Sequence, residues 1–224
     1  MIRAVIFDLD NTVYNYDECH EKAMKKLQGY ACKKYALTTG TFCSKFDEAK
    51  KTVKNQLGNT GASHNRLLYM QTFLESIARK PADGAIGLYD VYWDTMLENM
   101  HLFPYVLPLM KRLKEQGISI GVLTDLTAHI QHRKIQKLGL TDYVDVLVTS
   151  EEAGQEKPSE IAFDKLKAKM TFDPEEMLMI GDSQEKDIDG ALRAGMHGLL
   201  FSIDKASNMD QLVMEYIYDR VDEK

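Results

Sequence analysis

Val5-Ile6-Phe7-Asp8-Leu9-Asp10-Asn11-Thr12 is the stretch from which the rest of the chain is read. The apolar run from Ile2 to Phe7, β-branched and aromatic, reads as a short buried strand. It ends in two carboxylates at i and i+2, followed by Asn and Thr. In an α/β protein, ligands sit at the carboxyl ends of strands. Like charges this close repel unless a cation or a phosphoryl-transfer chemistry uses them. Three readings follow. Asp10-Asn11-Thr12 can be a plain turn, since these residues favour turns. A calcium loop fails, because Val13 stands where the sharp turn needs Gly and Cys19 where a bidentate Glu is required. The third reading makes Asp8 a nucleophile toward a phosphoryl group, with Asp10 as its acid/base partner. The stretch alone leaves the turn and the nucleophile level.

Length and charge narrow the class. A chain of 224 residues accommodates one domain with an insertion, or two small domains. The net charge of −6 argues against a nucleic-acid surface, which would be basic or carry a basic stripe. Cys19, Cys32 and Cys43 show no C-x-x-C spacing and read as packing residues of a reduced, intracellular protein. The chain opens directly on a strand and has no apolar run long enough for a membrane span, so the expected location is the cytoplasm, with no membrane and no nucleic acid among the partners.

From residue 18 to 99 the apolar spacing is helical throughout. Ala23, Leu27, Ala31 and Tyr35 mark a first helix; Phe42, Phe46, Ala49 and Val53 a second. Ser63 is the expected cap of a third, with Leu67, Met70, Phe73 and Leu74 on one face. A fourth covers 86–99. From Phe103 the pattern alternates. Helix 104–116 precedes strand 118–123, and helix 126–138 precedes strand 144–148. After a loop to Lys157 come helix 159–169, strand 177–180, helix 187–194, strand 197–201 and helix 207–218. Such alternation predicts a parallel sheet covered on both faces.

The strand ends carry the chemistry. The first ends in Asp8-x-Asp10-x-Thr12, the second in Thr124-Asp125; the third leads to Lys157, and the fourth ends in Asp182-Ser183 with Asp187 following. In a parallel sheet these ends share one edge. Carboxylates, a hydroxyl and a lysine together are what Mg²⁺-assisted phosphoryl transfer needs. Taken together and in this order, the residues resemble the four motifs of the haloacid dehalogenase superfamily. Asp8-Leu9-Asp10-Asn11-Thr12 matches the first, Leu123-Thr124-Asp125 the second, Glu156-Lys157-Pro158 the third, and Gly181-Asp182-Ser183 with Asp187 the fourth. Each motif alone is weak; four in register over most of the chain are specific.

The resemblance implies a Rossmann-like, doubly wound α/β core over 1–14 and 100–224, and an inserted four-helix cap over 15–99. It implies Asp8 as nucleophile and Asp10 as the acid that protonates the leaving oxygen and then activates water. Thr124 would hold phosphate oxygens, and Lys157 would neutralise charge. Mg²⁺ would be held by Asp8, the main-chain carbonyl of Asp10 and Asp182, with Asp187 acting through water or by orienting the others. Asp125 is either a substrate contact or the cap of the following helix. Because Asp10 is present, a phosphatase is expected rather than a dehalogenase, acting on a small phosphomonoester such as a nucleotide or sugar phosphate. A phosphomutase, or a low-turnover phosphate- or partner-binding protein, is the alternative. Substrate choice is expected in the cap, with Tyr14, Asn15 and Arg66 as candidate contacts and Arg66 placed to meet a second anionic group. The competing reading has Arg66 opening an amphipathic helix and facing solvent. Tyr89, Tyr92 and Trp93 read as packing inside the cap, and His129 and His132 as exposed histidines.

Overall fold

Ala4–Phe7 (β1) is apolar and wholly buried, as the opening stretch predicts. The computed structural model describes residues 1–219; residues 220–224 lie outside it. Four helices follow β1: Tyr16–Tyr35 (α1), Thr39–Leu57 (α2), Arg66–Ser76 (α3) and Ala85–Glu98 (α4). The chain then alternates through Val106–Glu115 (α5), Ser119–Thr124 (β2), Ala128–Lys137 (α6), Val146–Thr149 (β3), Ser150–Ala153 (α7), Glu160–Met170 (α8), Met177–Gly181 (β4), Gly190–Arg193 (α9), His197–Leu200 (β5) and Met209–Asp219 (α10). It divides into two compact units, one of Met1–Asn15 with His101 onward, the other Tyr16–Met100.

The first unit is an α/β core. Its five strands lie in the order β3-β2-β1-β4-β5, and every neighbouring pair is parallel. β1 is central: Ile6 faces Gly121 on one side and Met179 on the other. Side chains alternate across a strand. Ala4, Ile6, Met177 and Met179 pack on one face against Ala162, Phe163, Leu166 and Met170 of α8. Val5, Phe7, Ile120, Val122, Leu178 and Ile180, of the opposite parity, are buried as well. With both faces covered, the central strands read as unbroken apolar runs rather than alternating ones. α5 packs on β2 and α10 on α5. The carboxyl ends of β1, β2 and β4 therefore reach one edge of the sheet.

The second unit is a four-helix arrangement in which α1 packs on α4 and α2 on α3. Phe42, Phe46 and Phe73 form its aromatic centre, with ring centroids 5.3–5.9 Å apart. Tyr92 and Trp93 are buried beside one another, as expected of packing residues. Ser63 does not cap α3. It sits in a short 3₁₀ turn, and Asn65 Oδ1 instead accepts the Leu67 N–H at 2.9 Å. An Asx residue two positions before a free N–H wins this role because its short side chain reaches that donor. The loop expected before Lys157 contains the single helical turn α7, and the helix expected from 187 begins as a π turn over Gln184–Asp189. No helix among the described residues is long and apolar enough to cross a membrane.

Candidate active site

Asp8 continues the β1 ladder, its N–H donating to Ile180 O at 2.9 Å, and its side chain leaves the sheet at the carboxyl end. The chain then turns sharply: Thr12 and Val13 both donate to Leu9 O, with Asn11 in the left-handed region at φ 62. Asn tolerates that conformation better than most residues. Tyr105 Oη donates to Thr12 O at 2.6 Å and ties the turn down.

Lys157 joins the other strand ends to Asp8. Its Nζ donates to Asp8 Oδ1 at 2.7 Å and to Asp187 Oδ1 at 2.6 Å, and all three residues are buried. Burial works against the ammonium charge, but Asp187, Asp8 and Asp125 outweigh it and hold Lys157 above the ordinary lysine range. Burial pushes the Asp8 carboxyl up to about 8, against the pull of Lys157; the Asp187 and Asp10 carboxylates add to the rise. Asp187 Oδ2 accepts the Ser183 N–H at 3.0 Å. Its carboxylate occupies the space where a Cβ on residue 181 would stand, so position 181 must be glycine for the π turn to bring Asp187 in. Asp182 is the exposed member of the group. Loss of water around its carboxyl, and then the like charge of Asp187, push it up to about 6.

One oxygen each from Asp8, Asp182 and Asp187 lies within 4.8 Å of the others. Three carboxylates around one lysine leave negative charge over, and hard oxygen donors at this spacing suit Mg²⁺. The donor set therefore fits the metal expected from the sequence.

Thr124, at the end of β2, is buried, and its Oγ1 accepts from Gln131 Nε2 at 2.7 Å. Asp125 neither caps α6 nor turns toward open space. Oδ1 accepts the Lys157 N–H at 3.0 Å and Oδ2 accepts from Lys186 Nζ at 2.9 Å, so its carboxylate ties the Lys157 loop to the β2 end. The next residue, Leu126, stands at φ 106, a region that a bulky side chain rarely adopts; its N–H donates to Ser150 Oγ at 2.9 Å.

Asp10 is held apart from this cluster. Lys134 Nζ, fully buried, donates to both its oxygens at 2.7 and 2.8 Å, and Tyr14 Oη donates to Oδ1 at 2.6 Å. Tyr14, a candidate substrate contact from the sequence, is buried and bonded to the Asp10 carboxylate. Asn15 is half-buried. Lys134 and Gln131 escape a sequence reading because lysine and glutamine on a helix read as solvated. The available signal was their i, i+3 placement beside Ile130 and Ile135, the apolar residues that α6 buries.

Arg66 lies in the helical unit, and it does not face solvent. Its guanidinium donates to His64 O at 2.7 Å and to Tyr16 Oη at 2.6 Å, and lies over the rings of Tyr69 and Tyr92. The aromatic faces and neutral oxygens hold the cation where a solvated arginine would be free to swing out. It lines a cavity of about 120 Å³ together with His20, Asp47, Lys50 and Tyr69. Burial, then Arg66 and Lys50, push the His20 imidazole down to about 4. His129 and His132 are exposed.

Comparison with known proteins agrees with this geometry. Residues 2–195 match the family model of haloacid dehalogenase-like hydrolases. The ribulose-1,5-bisphosphate 5-phosphatase of Halopiger xanaduensis is 39% identical over 213 residues, covering 93% of this chain and 88% of the relative. The glyceraldehyde 3-phosphate phosphatase of Methanopyrus kandleri is 31% identical, covering 88% of this chain and 82% of its own. Among solved structures, the 2-haloacid dehalogenase of Pseudomonas syringae shares the fold with a TM-score of 0.73 at 20% identity, over 96% of this chain and 100% of that one. With its motif residues gathered at one sheet edge and its relatives aligned over most of their length, the chain belongs to the haloacid dehalogenase-like hydrolases, in their phosphatase branch.

Proposed function

We propose that this protein is a Mg²⁺-dependent phosphatase of a small sugar phosphate, working in the cytoplasm through an aspartyl-phosphate on Asp8. The observation that carries the reading is the buried Asp8–Lys157–Asp187 chain with Asp182 beside it. Asp8 Oδ1 is taken by Lys157, whereas Oδ2 has only a long 3.4 Å contact from Thr12 Oγ1 and is the oxygen available to attack phosphorus. As the Asp8 Oδ2–P bond forms and the ester P–O bond breaks, Asp10 gives its proton to the leaving oxygen. Water then attacks the phosphorus of the aspartyl-phosphate, Asp10 takes the water proton, and phosphate leaves Asp8 as the carboxylate. Lys157 and the Thr124 hydroxyl hold the phosphoryl oxygens through both halves. Asp8, Asp182 and the main-chain carbonyl of Asp10 would hold Mg²⁺, with Asp187 orienting them; the ion would supply positive charge against Asp8 and the phosphoryl group.

The helical unit acts as the cap that reads the substrate. Arg66, with Lys50 and His20 beside it, is a cation whose present partners are neutral oxygens and aromatic faces, suited to a second anionic group. A sugar bisphosphate supplies one, in keeping with the name of the Halopiger relative. The test is phosphate release from a panel of sugar mono- and bisphosphates, with Mg²⁺ and after chelation. Metal-dependent release, fastest with a sugar phosphate, is the expected result. No release from folded protein with Mg²⁺, or release indifferent to chelation, overturns the reading.

A further inference from the structure

α6 carries a buried lysine. A lysine with no exposed side-chain surface is costly unless its charge is used. Lys134 spends two hydrogen bonds on the single carboxylate of Asp10, at 2.7 and 2.8 Å, and lies 5.8 Å from the centre of the Tyr14 ring. Tyr14 adds a third bond, and adds it to Oδ1 only. The two oxygens of Asp10 are therefore unlike. Oδ1 receives two donors and is filled, whereas Oδ2 receives Lys134 alone. Gln131, three residues earlier in α6 and also buried, bonds Thr124 in the same way.

We propose that Lys134 is a positioning residue for the acid/base step. It grips both oxygens of the Asp10 carboxyl and so holds it in the one orientation from which Asp10 serves the acid/base steps proposed above. This rests on the aspartyl-phosphate reading above and adds to it a residue outside the four motifs. Lys134 acts through the Asp10 carboxyl, to both oxygens of which it donates, and is not itself the group that delivers the proton. Its removal should therefore matter where a proton must be delivered, and not where the leaving group departs as an anion.

Lys134→Met tests this in the full chain with Mg²⁺, using rapid-mixing kinetics on two esters. An alkyl phosphate needs its leaving oxygen protonated; p-nitrophenyl phosphate does not. The expected result is a first half-reaction slowed about 30-fold on the alkyl ester, a share of the ~10²–10⁴-fold that general acid–base catalysis contributes. The nitrophenolate burst should stay within about 3-fold of wild type, with slower steady-state turnover because water activation still needs Asp10. In an Asp10→Asn background, Lys134→Met should add no further loss. Equal slowing on both esters, a further loss in that background, or unchanged kinetics overturns the proposal while leaving the phosphatase reading standing. Wild-type protein that releases phosphate from neither ester overturns both. Should Lys134→Met fail to fold, Tyr14→Phe removes the other donor to Oδ1; a smaller loss confined to the alkyl ester supports the proposal, and equal loss on both esters overturns it.

Discussion

The two units treat a cation drawn in from solvent in opposite ways. In the α/β core, Lys157 and Lys134 each end on carboxylates, and those carboxylates are the residues a phosphoryl transfer would use. Each lysine is thus paired with carboxylates of its own unit. In the helical unit, Arg66 ends on a carbonyl, a phenol and two ring faces; among the described residues it forms no ion pair. Its charge is caged but not cancelled. On the function proposed above, the paired cations organise the reacting centre and the caged one meets an anion of the substrate. The same contrast separates what a sequence motif fixes, the chemistry, from what varies among relatives, the substrate.

Three changes strain this contrast by decreasing amounts. Asp8→Asn removes the carboxylate that Lys157 serves, and turnover should fall by at least about 10³-fold with the circular dichroism spectrum unchanged. A wild-type rate in that variant would leave the core cluster purely structural. Arg66→Gln keeps hydrogen bonding but drops the charge. It should lower kcat/KM for a sugar bisphosphate by about 30-fold, roughly 2 kcal/mol, and that for the matching monophosphate much less. An equal fall on both would make Arg66 a structural brace and erase the difference between the units. The smallest effect concerns His20. Its imidazole stays neutral in the folded chain down to about 4, while the unfolded chain takes up the proton near the ordinary 6.5. The unfolded state thus binds more protons between these values, so stability is fully present above 6.5 and is lost as pH falls toward 4. His20→Gln should flatten that part of the thermal midpoint against pH by a few degrees, ~3 °C. An unchanged slope would mean that burial, with Arg66 and Lys50, does not hold His20 neutral.

The core was the more legible unit because its strands are doubly buried and end in chemistry. Met177–Gly181 could be read from four apolar residues followed by Gly-Asp-Ser, and Ala4–Phe7 from its run into Asp8. What escaped were residues whose meaning depends on a partner far away in sequence. Lys134 lies 124 positions from Asp10, and its burial follows from the packing of α6, not from its own side chain. Asp125 looked like a cap because it precedes a helix; its partners, Lys157 and Lys186, arrive through tertiary structure. Arg66 is the same case in the helical unit: local pattern places it at a helix start, but Tyr16, Tyr69 and Tyr92 decide which way it turns.

The central place of β1 has a consequence for how the chain is made. Ala4–Phe7 is made before both of its neighbours, Ser119–Thr124 and Met177–Gly181, so it stays unpaired while residues 8–118 are synthesised. The helical unit, continuous from Tyr16 to Met100, has the partners for its internal packing in hand well before then. Of the residues that would do the chemistry, Asp8 is thus the first to be translated, and it is set in place only when the strand leading to Asp182 emerges.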